Sequence, residues 1–574
     1  MSLHSKVFLV FALASGLPSL AEAKLDISGV DGELERNVRA FVSLDDEPCD
    51  AEEWLVRRRY RALEKQAREA LEPFGYYSPT VTTRLTTSGD CWQASLEIEP
   101  GNPVRYRSID IVISGEAATD PTFAELPQRD ALQTGQVLRH ADYDALKRRL
   151  QTLAADRGYL EADFVESQLD VWPDESAVDV RLIFESGPRY NFGEIQIEQS
   201  FLDPEVARGY IDLEPGTPYD SAELARAQRD LAESAYFGAV DIAPDLSRAA
   251  DGRVPIRIVL GRGTRIEYTV GVGASTDTGA RFRLGFRNNR LNSRGHRIIA
   301  DANVSSVIQG VTAEYRIPRR DPRREWFSIA GAVSKEATDT FDTDVQRLGL
   351  RWTKMMGETW LRTLLLDFSN ESFVIGDEVE TSRFVVPGIV FDQKVADRDI
   401  FPSRGRRLTA EIRGTDEALG STTSYAQAMV WARWVRSFGD KNRLLLRANA
   451  GATASRDFGL LPPSVRFFAG GDESVRGYDY ESLGPKDADG NVVGGANLLV
   501  ASVEYERHLR GNFYGAVFVD AGNAFDKSDF EPETGVGIGV KWRSPIGLVR
   551  VYLGYPVTAE DRKVRFHLRL GADL

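Results

Sequence analysis

Arg281-Phe282-Arg283-Leu284-Gly285-Phe286-Arg287 puts an apolar side chain at every second position, with Arg or Gly between. A helix would spread those apolar groups around its axis. A strand sends successive side chains to opposite faces and keeps them on one. The end of the chain alternates in the same way. Val564, Phe566, Leu568 and Leu570 fall on one side, and Arg565, His567 and Arg569 on the other. Between Thr264 and Leu574 about sixteen segments of roughly ten residues share this pattern. They start near Arg265, Arg281, His296, Gly310, Trp326, Gln346, Thr359, Arg383, Arg406, Tyr425, Asn442, Asn497, Asn512, Gly535, Leu548 and Lys563. Alternation is poorest in Met429–Val435. Charge on the second face of so many segments does not suit a soluble sandwich. An even number suits a closed antiparallel barrel with both ends on one side, its apolar face toward lipid.

The longest break in this pattern, roughly Leu460 to Ala496, lies between the eleventh and twelfth segments. It contains Gly470-Gly471-Asp472-Glu473-Ser474-Val475-Arg476-Gly477-Tyr478. Long loops without structure of their own are uncommon and are functional or disordered. Val465, Phe467, Phe468, Val475 and Tyr478 want burial, which argues for a folded loop. Two glycines beside Glu473-Ser474-Val475-Arg476 suit a tight tip. Arg476 is then either an exposed charge on a glycine-rich loop, or a charge brought into a polar lumen, where it needs a carboxylate. Strand parity supplies carboxylates. Phe518 and Asp520 share one face and Val517 and Val519 the other, while Glu504 faces inward with Ser502 and Glu506.

The first half differs. From Lys24 to about Gly263 the chain repeats with a period of about 80 residues, longer than that of the short solenoid repeats. Each unit reads as a strand, helical patches and two strands. In the first, Asp50 is the expected cap of a helix running to Glu72, followed by strands Tyr77–Thr86 and Trp92–Glu99. In the second, strand Tyr106–Ile113 precedes helix Asp142–Asp156, closed by Gly158-Tyr159, and strands Ala162–Asp170 and Ala177–Glu185. In the third, strand Tyr190–Glu198 precedes a helix capped by Ser221, then Val240–Asp245 and Val254–Leu260. Ahead of them, residues 1–23 have the form of a signal peptide: Lys6, an apolar run Val7–Leu17 and the small-x-small site Ala21-Glu22-Ala23. The two cysteines, Cys49 and Cys91, fall in the first unit outside the cytoplasm and are expected to form a disulfide.

Composition excludes several classes. The net charge of -15 over 574 residues argues against a nucleic-acid partner. There is no G-x-S-x-G, H-E-x-x-H or P-loop pattern, and the five histidines are scattered. Asp487-Ala488-Asp489-Gly490-Asn491 lacks the distal Glu of a calcium loop. No enzyme activity, cofactor or metal is expected.

The order strand, helix, helix, strand, strand, with Gly-Tyr after the second helix, resembles POTRA domains. Glu99-Pro100-Gly101-Asn102-Pro103-Val104 and Glu185-Ser186-Gly187-Pro188-Arg189-Tyr190 resemble the joints between them. Val475-Arg476-Gly477-Tyr478 resembles the V-R-G-F/Y loop of the POTRA-plus-barrel superfamily, to which BamA and the two-partner secretion transporters belong. Phe518-Val519-Asp520-Ala521-Gly522 resembles its F-x-D-x-G strand. Three units, the joint Glu214-Pro215-Gly216-Thr217-Pro218-Tyr219 and the ending from Trp542 most resemble the TamA family. Gly547-Leu548 in place of Gly-Pro, and the final Leu574, depart from it. The resemblance implies POTRA domains at 24–100, 101–186 and 187–263 in the periplasm, then a 16-stranded barrel at 264–574 in a Gram-negative outer membrane. It implies that Arg476 descends into the lumen to pair with Asp520 and Glu504, with Val475, Gly477, Tyr478, Phe518 and Gly522 completing the lock. It implies insertion or translocation of nascent outer-membrane proteins such as autotransporters, with a TamB-like inner-membrane-anchored partner. Phospholipid transport with that partner, or a two-partner-type secretion pore, are the alternatives, and outer-membrane lipid is a further contact. Gly271 and Gly273 in the first strand, near Tyr268, weaken it against the last, with Phe566 and Leu568, so this seam is a candidate lateral opening. The alternative is ordinary packing relief. POTRA edge strands are open either to an added peptide strand or serve as spacers.

Overall fold

The alternating segments form a barrel. In a computed structural model, residues 24–87, 91–124, 132–376, 378–526, 529–545 and 547–570 are described. The expected signal peptide, residues 1–23, and Leu574 lie outside them. The chain divides into two compact units. One comprises residues up to 194 with 214–224 and 244–256; the other comprises 195–213, 225–243 and 257 onward.

Each of the three N-terminal modules contributes a three-stranded sheet. The first has β1 (Lys24–Ser28), helices α1 (Gly32–Phe41) and α2 (Glu53–Leu71), β2 (Thr80–Thr86) and β3 (Gln93–Glu99). The second has β4 (Arg105–Ser114), α3 (His140–Arg157), β5 (Asp163–Trp172) and β6 (Ala177–Glu185). The third has β7 (Asn191–Glu198), α4 (Pro204–Arg208), α5 (Ser221–Glu233), β8 (Phe237–Pro244) and β9 (Arg253–Arg262). In each sheet the last strand is central, in the orders β1-β3-β2, β4-β6-β5 and β7-β9-β8. β1 runs parallel to β3 and β2 antiparallel to it, so this sheet is mixed, and the second sheet repeats the pattern. Helix α2 turns Val56, Leu63, Ala67, Ala70 and Leu71 inward at helical spacing, against Leu96 and Ile98 of the sheet. Cys49 and Cys91 are disulfide bonded, with Cα atoms 4.8 Å apart.

Two expected caps move. The chain enters α2 at Glu52, whose carbonyl accepts the first helical hydrogen bonds, so Asp50 lies outside the helix. At α5 it is Asp220 that accepts the Ala222 N–H, at 2.8 Å, while the Ser221 hydroxyl donates to Asp156 at 2.5 Å. A neighbouring carboxylate drew Ser221 away from the helix end.

The barrel strands are β10 (Ile266–Ser275), β11 (Gly279–Asn288), β12 (Arg297–Val304), β13 (Ile308–Pro318), β14 (Glu325–Ala337), β15 (Phe341–Met356), β16 (Trp360–Ile375) and β17 (Glu378–Ala396). They continue as β18 (Arg404–Thr415), β19 (Tyr425–Phe438), β20 (Asn442–Ser455), β21 (Asn497–Arg510), β22 (Phe513–Phe525), β23 (Glu533–Ser544), β24 (Gly547–Pro556) and β25 (Arg565–Leu570). They pair in sequence order and close. Alternation carries through: Val517 and Val519 are each 51% exposed on the outer face, whereas Phe518 and Asp520 are buried inside. An apolar outer face and a charged interior are what a bilayer demands of a barrel.

Closure is uneven. Ten paired positions join β10 to β11 and six join β24 to β25. Among the described residues one pair, Ser275 with Arg569, joins β10 to β25.

Candidate functional site

The chain between β20 and β21 folds back inside the barrel. Phe467 and Gly495 exchange backbone hydrogen bonds, as do Ala469 and Leu483, which closes a tip at residues 470–482. The loop's apolar side chains hold it to the wall. Leu461 and Val465 pack on Phe384, Val386 and Tyr425; Phe467 packs on Met429 and Ala524; Val475 and Tyr478 pack on Val500. Small residues on the wall make room. A Cβ at Gly535 would collide with the Arg476 carbonyl, and one at Gly554 would lie 2.8 Å from the Gly477 nitrogen. A Cβ at Gly522 would strike the Leu499 carbonyl of β21, so that glycine serves close strand approach. Gly477 itself sits at φ +100°, a conformation that L side chains rarely adopt.

This seating delivers Arg476 to two carboxylates. Its Nε lies 2.7 Å from one Asp520 oxygen and a terminal nitrogen 2.9 Å from the other, a two-pronged contact. The second terminal nitrogen lies 2.5 Å from Glu504. The Arg476 backbone N–H also donates to Asp520, at 3.1 Å, and Ser502 accepts at 3.3 Å. The guanidinium stands 3.5 Å from the centre of the Phe518 ring and 4.6 Å from that of Tyr552. The side chains of Arg476, Glu504 and Asp520 are 5%, 7% and 0% exposed, so water does not satisfy them and the protein must.

The network runs further than parity alone suggested. Lys541, 1% exposed, stands between Glu504 at 2.7 Å and Glu506. Arg443 pairs with Glu506, donates to the Pro402 carbonyl at 2.9 Å and stacks over Phe401. Tyr552 donates to Glu504 at 2.9 Å. Cations and carboxylates therefore alternate along a buried line, Arg476, Glu504, Lys541, Glu506, Arg443. The sequence held a signal for Lys541: its strand face, between Glu533 and Arg543 at the ends, is otherwise Gly535, Gly537 and Gly539, which leave a long side chain room to turn inward.

The tip also bridges the seam. Asp472 accepts from the Thr276 hydroxyl at 3.1 Å and its backbone N–H donates to Asp277 at 2.8 Å, both beside β10. On β25, His567 Nδ1 lies 2.6 Å from Asp472 and its Nε2 accepts the Gly477 N–H at 2.9 Å. Nε2 is thus the acceptor and Nδ1 carries the proton. Arg565 donates to the Gly477 carbonyl at 2.6 Å and to Asp479 at 2.8 Å. Tyr478 donates to Glu533 at 2.7 Å. Of the seam residues read from sequence, Tyr268 is 71% and Phe566 52% exposed on the outer face, with Leu568 half-buried. Gly271 and Gly273 face Arg283 and Arg281 at ordinary distances, so a methyl group would fit at either.

Comparison with known proteins accords with this architecture. Residues 259–573 match the Omp85 superfamily domain, and residues 24–100 match POTRA domain TamA domain 1. The chain is 24% identical over 442 residues to the outer membrane protein assembly factor BamA of Nitratidesulfovibrio vulgaris, covering 73% of this chain and 55% of that protein. It thus spans about half of that relative's length. It is 23% identical over 602 residues to the same factor of Neisseria meningitidis serogroup B, covering 90% and 74%. The crystal structure of BamA from Haemophilus ducreyi lacking POTRA domains 1-3 superposes with a TM-score of 0.68 at 17% identity, over 82% of this chain and 99% of that one. At that identity the likeness is one of fold. A 16-stranded barrel of this parity is integral to the outer membrane, with the N-terminal modules in the periplasm. The domain match extends over more than half of the sequence, and the chain belongs to the Omp85 superfamily.

Proposed function

We propose that this protein is a TamA-type assembly factor that inserts or translocates other outer-membrane proteins, autotransporters among them. Its partner is an inner-membrane-anchored, periplasm-spanning protein of the TamB kind. The observation that carries this reading is the seam. Among the described residues one ladder pair joins β10 to β25, extended by the Thr276 N–H donating to the Leu568 carbonyl, where neighbouring strands share six to ten, and the loop tip adds a second bridge between the two strands. A barrel that only conducts solutes has no need of so thin a closure. A strand edge freed there can template an incoming strand. The Arg476 lock then sets how firmly the tip holds.

In vivo photo-crosslinking tests the proposal, with the probe at Thr82 on the exposed edge strand β2 and at Tyr268 on β10. A large inner-membrane-anchored protein captured at Thr82, with nascent barrel proteins at Tyr268, is the expected result. A single secreted protein at both positions would make it a secretion pore. An anchored partner with no protein at the seam would redirect it to lipid transport.

A further inference from the structure

We propose that the lumen wall carries a path for an acidic, extended peptide segment entering from the periplasm; this deepens the assembly reading and rests on it. Lys394 on β17 lies directly opposite Arg407 on β18, Arg407 opposite Arg433 on β19, and Arg433 opposite Arg447 on β20. Four cations thus stand side by side on four successive strands. Like charges directly opposite one another destabilise a sheet. Closing the barrel does not call for them: the row continues as Ser502 on β21 and Asp520 on β22.

The row has a direction. Lys394 is two residues from the periplasmic end of β17 at Ala396, and Arg407 three from that of β18 at Arg404. Arg433 and Arg447 are each five residues in, from Phe438 and Asn442. The cations therefore climb from the periplasmic opening toward the Arg476 lock. The flanking outward residues Val395 and Trp434 are exposed to the membrane, so the row itself faces the lumen and no lipid headgroup.

What already sits on the row indicates its occupant. At the inner end Glu473 of the loop tip pairs with Arg433 and with Arg569, while Arg447 takes the Asp472 and Ser474 carbonyls, at 3.3 and 2.5 Å. At the outer end the pairs are loose. Arg407, 47% exposed, stands 3.4 Å from Asp392, and Lys394, 35% exposed, stands 3.5 Å from Asp399, itself 95% exposed. Exposed pairs of this kind contribute about 0–1 kcal/mol each. Adjacent strands lie about 5 Å apart, and alternate residues of an extended chain about 6.6 Å apart. Carboxylates on every second residue of such a chain reach successive cations on their flexible stems. At Arg433 the incoming acid meets Glu473 as a competitor, which loosens one of the tip's holds.

The test uses the full-length protein in a neutral detergent and two fluorescein-labelled 12-residue peptides, one alternating Glu with apolar residues and one alternating Lys with the same residues. Anisotropy should show the acidic peptide binding about tenfold more tightly. The preference should shrink in 1 M salt, where the screening length falls to about 3 Å. It should vanish in Lys394→Glu/Arg407→Glu and weaken in the milder Lys394→Gln/Arg407→Gln; each variant is first shown to keep the heat-modifiable gel shift of a closed barrel. Equal binding of both peptides, or an acidic preference unchanged in the charge-reversed variant, would overturn the inference. Client insertion measured on the same proteins in liposomes reports separately on the assembly reading, so either can fail alone.

Discussion

At the scale of single residues, the lock depends on burial. An exposed Arg476 paired with one Asp would contribute little. With Asp520 at 0% exposure, removing its partner leaves a charge that nothing hydrates. Arg476→Ala should therefore destabilise the seated loop by roughly 3–5 kcal/mol, read as protease cleavage within residues 470–482 of the intact barrel. Asp520→Asn should cost a similar amount alone, yet little more when combined with Arg476→Ala, because the second change neutralises the stranded carboxylate. Additive losses would mean that the two residues act independently. Lys541→Met is a related change on the barrel wall, where Lys541 shares Glu504 with Arg476. It leaves Glu504 and Glu506 facing each other, and loop cleavage should rise in it as well.

At the scale of elements, strands read out of the sequence far better than their mutual contacts. All sixteen barrel segments begin within five residues of the positions the alternation marked, the largest offsets being at β15 and β17, and even the poorly alternating Met429–Val435 lies inside β19. Alternation is local, so one segment suffices to reveal it. The cation row on β17–β20 is not local: each Arg or Lys is unremarkable until the register sets it opposite the next. The cap at Ser221 failed for a similar reason, since Asp156 captures its hydroxyl, whereas at α2 the helix starts two residues beyond Asp50, at Glu52, with no side-chain cap. The Asp520–Arg476 pairing lay between these extremes. Parity turned the carboxylates inward, and family resemblance supplied the loop's descent. The loop also holds a pH response. Burial, and then the nearby Glu336, push the Glu481 carboxyl from its usual 4.5 up to about 8. Burial and Asp472 push Asp277 from 3.8 up to about 6. Glu481 in the loop and Asp277 beside β10 both bind their protons more tightly when the loop is seated. Their contribution is full below about pH 4 and is lost as pH rises to about 8. Loop cleavage should increase across that window, and Glu481→Gln should flatten the upper part of the rise. A profile that runs the other way would exclude these two groups as its source. In the first module, the Cys49–Cys91 bond closes a separation of 42 residues. Cys49→Ser should lower the stability of that module by about 3–4 kcal/mol if the constraint acts on the unfolded chain, seen as a drop in its melting temperature, while loop cleavage in the barrel stays unchanged.

At the scale of the whole molecule, the seam and the loop tip form one closure. Among the described residues, fifteen strand junctions are held by ladders that register six residues or more, whereas the sixteenth is held by Ser275–Arg569, by the Thr276 N–H donating to the Leu568 carbonyl at 3.2 Å, and by Asp472 reaching to both sides. Opening that junction breaks few backbone hydrogen bonds, so the energetic barrier resides in the tip. This makes a specific claim about cross-linking. Ser275→Cys/Arg569→Cys places two thiols at the position paired among the described residues, on strands that lie about 5 Å apart. Oxidised, this variant should keep the barrel's gel shift and its loop protection, and should lose client insertion; reduction should restore it. Arg569→Cys alone serves as the control, because it also frees Glu473 from one cation. Full insertion activity in the oxidised protein would mean that clients pass without the seam parting. The thin ladder between β10 and β25 would then be a consequence of β25 being six residues long rather than the route of assembly.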